Sequence, residues 1–183
     1  NEKAVEFEHK SDYVNILRGT NDSPGFSRGL TAPAVTMPHG FNFFVPATNS
    51  NDNKIYNYQL NGNTLKHITI SHEPSYWVGD RGTWQFMINT SIDAKNVNNG
   101  EQINSSARQA EFTHENETAK AHYYSVKFNE GSNASNSKME VTPTVHGSVA
   151  RFTFDKDSKN KNIIFDSTRA NGTLKFNADG TFE

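Results

Sequence analysis

The chain has 183 residues, a formal net charge of −2 and no cysteine. This length corresponds to about one domain with a substantial core. Mixed charges of small net value exclude a basic nucleic-acid-binding surface, and no apolar run approaches the roughly 20 residues needed to span a bilayer. The absence of cysteine excludes disulfides and thiolate chemistry. The seven histidines are scattered without a paired spacing, so no zinc site is predicted.

The pattern of apolar residues predicts an all-β fold with little helix. Although only 33% of the residues are hydrophobic, thirteen Phe, six Tyr and two Trp supply large apolar faces. Short apolar runs alternate with turn residues, which is typical of an antiparallel two-sheet β-sandwich. The predicted strands are residues 4–8, 34–37, 42–46, 56–60, 66–70, 83–89, 109–113, 121–128, 138–143, 149–154, 162–167 and 173–176.

A polar, aromatic segment at residues 72–82 interrupts this series of strands. It reads His-Glu-Pro-Ser-Tyr-Trp-Val-Gly-Asp-Arg-Gly, and its proline and glycines indicate an ordered loop rather than a two-residue hairpin. The loop places Trp77 and Asp80 at its tip, where β scaffolds often carry binding residues. The structural alternative is that Trp77 plugs the end of the sandwich while Asp80 caps the turn.

Four further segments accompany this loop in a fixed order along the chain. Residues 13–20 read Tyr-Val-Asn-Ile-Leu-Arg-Gly-Thr, and residues 29–40 read Gly-Leu-Thr-Ala-Pro-Ala-Val-Thr-Met-Pro-His-Gly. Residues 112–119 (Phe-Thr-His-Glu-Asn-Glu-Thr-Ala) lead into a Tyr-Tyr-Ser-Val strand, and Glu-Val-Thr-Pro-Thr at 140–144 precedes Arg-Phe-Thr-Phe at 151–154. Together with the loop, this ordered set resembles the N-terminal part of family 92 glycoside hydrolases.

The resemblance implies a calcium-dependent, inverting exo-α-mannosidase built from two parts. In that family an N-terminal β-sandwich of the supersandwich type packs on a helical-barrel domain that carries the general acid, the general base and the calcium. We therefore expect residues 1–183 to be a single sandwich domain of a longer protein, with no catalytic residue and no metal or cofactor site of its own. The chain stops partway through a hairpin after Asp179-Gly180, which agrees with that expectation.

The resemblance also implies which residues contact substrate. Carried over to this sequence, Trp77 and Asp80 are predicted to bind mannose, and His72 is a weaker candidate that braces the loop. Glu115 and Glu117 are predicted to satisfy backbone donors rather than to act as acid and base. The expected partners are mannose-containing glycans and the missing catalytic domain, and the expected location is secreted or cell-surface in a bacterium. The isolated chain is predicted to be inactive.

The sequence is also compatible with an alternative function. Four positions differ from the usual family pattern, which favours an independent carbohydrate-binding or adhesin module at the cell surface; they are Leu30, Glu73, Tyr76 and Arg81. The sequence beyond Glu183 would separate the two hypotheses. If the domain docks on a catalytic partner, we expect an exposed apolar surface, with candidates at Phe41, Phe43, Phe44, Tyr76 and Trp77.

Overall fold

The structure, a computed structural model, describes residues 8–20, 31–48, 58–71, 84–96, 104–167 and 175–181. The described residues form eight strands: β1 Phe43–Thr48, β2 Thr64–Ser71, β3 Trp84–Asn89, β4 Ala110–Lys120, β5 Tyr123–Phe128, β6 Lys138–Pro143, β7 Ser148–Thr153 and β8 Asn162–Ser167. Helical structure in the described residues is limited to one turn of α-helix, α1 Ser105–Arg108, and two 3₁₀ segments, Lys10–Tyr13 and Ala94–Asn96. No helix in these ranges is long and apolar enough to cross a membrane.

All eight strands belong to one antiparallel sheet that curls into two layers. Its order is β7-β6-β5-β4-β2-β3-β8, with β1 paired to β2 outside this path. Strand β4 pairs with β2 only through Ala110 and Glu111 and then continues beside β5. The two layers diverge there. Phe86 on β3 meets Phe152 on β7 with ring centroids 5.8 Å apart, so the layers face each other across the core.

The core between the layers is built from large apolar side chains on both halves of the sheet. Each such side chain contributes about 1.5–3 kcal/mol on full burial. The buried core residues are Val35, Phe44, Leu65, Ile68, Phe86, Met87, Ile88, Ala110, Phe112, Tyr124, Val126, Phe128, Ala134, Met139 and Val141. The aromatic excess noted in the sequence is therefore used mainly to fill the interior.

A bulge in β2 explains an irregularity in the sequence pattern. Ala47 pairs with His67, whereas Thr48 pairs with Leu65, so Lys66 is the extra residue. The insertion puts Leu65 and Ile68 on the same buried face although they are three positions apart. The Lys-His pair breaks the apolar alternation in the sequence for this reason.

Strands β1 and β3 are buried along almost their whole length, and neither shows the alternation of a strand with one wet face. The second face of β3 is covered in part by α1, which contacts both β2 and β3. The Arg108 side chain of this helix is 1% exposed. We call β1, β2, β3 and β8 the first layer and β4 to β7 the second layer. The centre of the first layer is thus covered on both faces, which is uncommon for an antiparallel sheet.

The predicted all-β, antiparallel and nearly helix-free architecture is confirmed, and the two predicted sheets prove to be layers of one sheet. The strands predicted at 138–143 and 162–167 have the observed bounds. The largest boundary difference is in β4, which continues to Lys120 instead of ending at residue 113. The other strand ends differ by at most two residues, and the described residues 58–60 of the strand predicted at 56–60 form no strand. The segment 34–37 forms only a single bridge, between Val35 and Phe44.

Candidate binding end of the sandwich

The three residues predicted to bind mannose, His72, Trp77 and Asp80, lie outside the described residues. The two strands that carry their segment are described. Strand β2 ends at Ser71, which pairs with Phe43 at the start of β1. Strand β3 begins at Trp84, whose ring stacks on Phe165 of β8 at a centroid distance of 5.2 Å. Residues 72–83 therefore leave and re-enter the sheet at one end of the sandwich.

Several turns lie at this same end, and hydrogen bonds join them. The backbone N–H of Thr36 donates to the carbonyl of Ala121 in the β4–β5 turn at 2.9 Å, and that of Phe41 donates to Val145 in the β6–β7 turn at 2.9 Å. The Asn42 side chain donates to the His146 carbonyl at 2.9 Å. These contacts fix the segment 36–42 across both turns. The strands that carry residues 72–83 therefore end beside a braced set of loops.

This end also carries most of the exposed apolar surface. Of the seven large hydrophobic residues exposed in the described part of the chain, five lie here: Tyr13, Val14, Phe41, Val145 and Val149. The first two belong to the N-terminal segment, which an ion pair of 2.8 Å between Asp12 and Lys120 holds against the end of β4. We call these five residues the apolar end.

The residues predicted to form a docking surface differ in their exposure to solvent. Phe41 is 62% exposed, as expected, and its ring lies 4.8 Å from that of His146. The expectation for Phe44 is wrong: it is 2% exposed, because β1 turns this residue inward. Phe43 is half-buried, and Tyr76 and Trp77 lie outside the described residues.

A buried carboxylate at Glu117 joins three other side chains in the interior. Its side chain is 2% exposed. The Tyr58 hydroxyl lies 2.8 Å from one carboxylate oxygen and 2.9 Å from the other, and the Tyr124 hydroxyl donates at 2.6 Å. His114 Nδ1 lies 2.7 Å from the carboxylate, and its Nε2 lies 3.1 Å from the Gly62 carbonyl. We call these four side chains the Glu117 cluster.

The expectation that Glu117 satisfies backbone donors is wrong, because its described partners are side chains. A bulge in β4 between Phe112 and Glu117 produces this arrangement. The bulge turns His114 and Glu117 inward and leaves Glu115 exposed. Burial is the main cause that raises the pKa values of Tyr58 and Tyr124 far above the ordinary range of tyrosine, and the nearby Glu117 carboxylate adds to it. Both hydroxyls therefore stay protonated and act as donors.

We expect Glu117→Ala to lower the free energy of unfolding by roughly 2–5 kcal/mol. The substitution leaves two buried tyrosine hydroxyls without an acceptor, and each such loss costs about 1–3 kcal/mol. Glu115→Ala, on the same strand but exposed, is the control and should change stability by less than about 0.5 kcal/mol. Urea unfolding of both variants measures the difference. Equal effects of the two substitutions would contradict the role assigned to the cluster.

Two further charged sites stabilise the sheet. On the first layer, the Arg108 guanidinium pairs with Asp166 at 2.7 Å. On the second, Arg151 holds the Glu140 carboxylate through bonds of 2.6 and 2.9 Å. This pairing, with a bond from Tyr123, keeps the pKa of Glu140 well below its ordinary value of 4.5.

His67 lies on the same side of the first layer as Arg108. Burial, then the positive charges of Arg108 and Lys66, lowers the pKa of His67 from 6.5 to about 3. The unfolded chain therefore takes up a proton below pH 6.5 that the folded chain does not bind. Since the unfolded state then binds more protons, stability falls as the pH decreases from about 6.5.

We expect His67→Asn to reduce the acid sensitivity of folding between pH 6.5 and 5. One proton taken up only by the unfolded state changes the free energy of unfolding by about 1.4 kcal/mol per pH unit, and the variant should lose most of that slope. Glu140 acts in the same direction but only near and below its ordinary pKa of 4.5, outside this window. His146→Asn, at an exposed position, is the control. Denaturant unfolding at several pH values provides the measurement, and identical slopes for wild type and His67→Asn would contradict the prediction.

Within the described ranges, no group of three or more His, Asp or Glu side chains is arranged to hold a metal ion. The residues present there do not fit a calcium site of the kind the family resemblance associates with catalysis. We therefore derive no chemical step through a metal.

The profile of the Glycosyl hydrolase family 92 N-terminal domain matches residues 13–183. A search of curated protein sequences gave no significant match. Solved structures do match. The family GH92 inverting mannosidase BT2199 from Bacteroides thetaiotaomicron shares 29% sequence identity with a TM-score of 0.69, and the match covers 85% of this chain and 19% of that one.

Two more distant structures support the fold alone. The GH92 α-mannosidase BT3965 from Bacteroides thetaiotaomicron shares 24% identity with a TM-score of 0.61, covering 85% of this chain and 20% of that one. The GH92 family glycosyl hydrolase ccman5 shares 17% identity with a TM-score of 0.64, covering 94% and 23%. The chain spans about a fifth of the length of these proteins. With the family profile matched over nearly its whole length, this chain belongs to the glycosyl hydrolase family 92 N-terminal domains.

Proposed function

We propose that this domain is the non-catalytic N-terminal part of an α-mannosidase, in which it braces a catalytic domain and supplies residues to the mannose-binding pocket. The observation that supports this most directly is the apolar end. Five of the seven exposed large hydrophobic residues in the described ranges gather where residues 72–83 join the sheet. Exposed apolar patches of this kind usually mark a partner surface.

The bracing role is supported by the hydrogen bonds that tie this end together. Phe41 and Val145 are linked through the backbone, and Asn42 ties the same segment to His146. A rigid apolar surface docks with little loss of conformational entropy, which favours association. The occupant in this proposal is the remainder of the same polypeptide, because the related mannosidases continue far beyond the matched region.

The binding role is assigned to the loop at residues 72–83. In this proposal the Trp77 ring offers its apolar face to the C–H side of a pyranose. The Asp80 carboxylate accepts hydrogen bonds from sugar hydroxyls, and these charge-assisted bonds are stronger than those to a neutral acceptor. His72 braces the loop. The calcium and the acid/base pair belong to the catalytic domain, and the whole protein is exported.

Three carboxylates of the described strands are held by partners within the domain. Asp166 pairs with Arg108, Glu140 with Arg151, and Glu117 with the two tyrosines and His114. Inverting glycoside hydrolysis needs two carboxyl groups about 6.5–9.5 Å apart on opposite sides of the sugar. We therefore propose that residues 1–183 alone do not cleave aryl α-mannosides, with or without calcium.

The loop assignment is tested by Trp77→Ala in the full-length polypeptide. Losing the stacking face should lower kcat/KM for an aryl α-mannoside by about 10- to 100-fold, equivalent to about 1.4–2.8 kcal/mol. Trp77→Phe keeps an aromatic face and should retain most of the activity. If Trp77→Ala left kcat/KM unchanged in a folded enzyme, the ring would be a structural plug at the end of the sandwich.

The docking assignment is tested separately by Phe41→Ser. In the full-length protein this substitution should lower the thermal unfolding temperature by several degrees, because the exposed ring would lose its buried partner surface. In residues 1–183 alone it should change little, since Phe41 is already 62% exposed there. Ile163→Ser on β8, also exposed, is the control. The same shift in the isolated domain and in the full-length protein would favour an independent carbohydrate-binding module.

A further inference from the structure

A polar cleft lies at the opposite end of the sandwich from the apolar end. It has a volume of about 210 Å³ and is lined by Thr64, Gln109, Glu111, Gly131, Ser132 and Asn133. These residues come from the start of β2, the start of β4 and the β5–β6 loop. The cleft is therefore formed at the strand ends remote from Ser71 and Trp84, where residues 72–83 join the sheet.

The loop that forms one wall is tied to neighbouring segments by hydrogen bonds. The Asn133 side chain donates to the carbonyls of Ala107 at 3.2 Å and Gln109 at 2.9 Å. The backbone carbonyl of Asn133 accepts from the N–H of Thr90 at 2.7 Å. Ala134 is fully buried in the core and anchors the loop from below. A ligand entering this cleft meets a preformed wall, so little ordering cost opposes binding.

The cleft also contains polar groups that the fold does not use. The side chains of Gln109 and Glu111 make no hydrogen bond to any residue that the structure describes, although their backbone carbonyls are engaged. Ser132 Oγ donates to the Asn129 carbonyl at 2.8 Å and accepts from the Ala134 N–H at 3.4 Å, which leaves one lone pair for a further donor. An amide offers both donors and acceptors, and a carboxylate offers strong acceptors.

The chemistry of this lining selects one class of ligand. None of the six lining residues is basic, which disfavours phosphates and other anions, and none is aromatic or large and apolar, which disfavours hydrophobic ligands. Amide, hydroxyl and carboxylate groups together match hydroxyl groups, each of which donates one hydrogen bond and accepts others. The cleft volume of about 210 Å³ leaves room for a small polar ligand on the scale of one sugar ring.

We propose that this cleft is a second saccharide-binding site, distinct from residues 72–83, that holds one neutral sugar residue through Gln109, Glu111 and Ser132. The choice of a saccharide rests on the proposed function, whereas the location does not. Because the cleft is open and lacks a stacking ring, its affinity is weak, with a dissociation constant on the order of millimolar.

The experiment is a titration of ¹⁵N-labelled protein with methyl α-D-mannopyranoside, followed by amide chemical shifts. We expect saturable shifts at Gly131, Ser132 and Asn133 and at the Gln109 side-chain amide. Glu111→Ala should weaken this binding at least fivefold. Glu115→Ala, which removes an exposed carboxylate from the same strand, should leave it unchanged. Dispersed spectra of both variants establish that they fold.

The outcomes separate this proposal from the proposed function. Chemical-shift changes confined to Ser71, Trp84 and the residues between them would contradict a saccharide site in the cleft and would support sugar binding by residues 72–83. Absence of saturable shifts in the cleft up to about 100 mM sugar, far above a millimolar dissociation constant, would also overturn it. An unchanged dissociation constant in Glu111→Ala would do the same. Loss of binding in Glu111→Ala while Trp77→Ala still binds would establish the cleft as a site in its own right.

Discussion

The buried carboxylate of Glu117 is the contact on which the two-layer arrangement depends. It lies on β4, the strand that leaves β2 after two paired residues and continues in the other layer. Tyr58 reaches it from the segment before β2, and Tyr124 reaches it from β5. A buried charge is costly unless its partners are all in place, so the cluster tolerates few alternative packings. The point at which the sheet divides is therefore fixed by specific hydrogen bonds as well as by apolar burial.

This arrangement separates the two ends of the sandwich. At one end, Phe41 and Val145 remain exposed beside the strands that carry residues 72–83. At the other, a well-braced loop around Asn133 forms a polar cleft. The core between them is filled by side chains of both layers, as the contact of Phe86 with Phe152 illustrates. The two ends of the domain therefore differ in chemistry, one being apolar and the other polar.

The first layer shows why local periodicity was an incomplete guide to this fold. β1 and β3 are buried on both faces, so neither sequence alternates apolar with polar residues, and β3 buries Gln85 and Asn89 beside its apolar side chains. β4 was predicted too short because its bulge carries the polar sequence of residues 113–117, which resembles a loop. By contrast, the edges of β6 and β8 were predicted correctly, since turn residues flank each strand.

The sequence by itself determined the all-β class, most strand positions and the family, because apolar runs, turn residues and ordered motifs are local properties of the chain. It did not determine the partners of Glu117, since Tyr58 lies 59 residues away and only the folded sheet brings the two together. Nor did it separate Phe41, which is exposed, from Phe44, which is buried. The same residue type occurs three positions apart there, and only the tertiary packing of Phe44 in β1 and of Phe41 in the segment before it decides which ring enters the core.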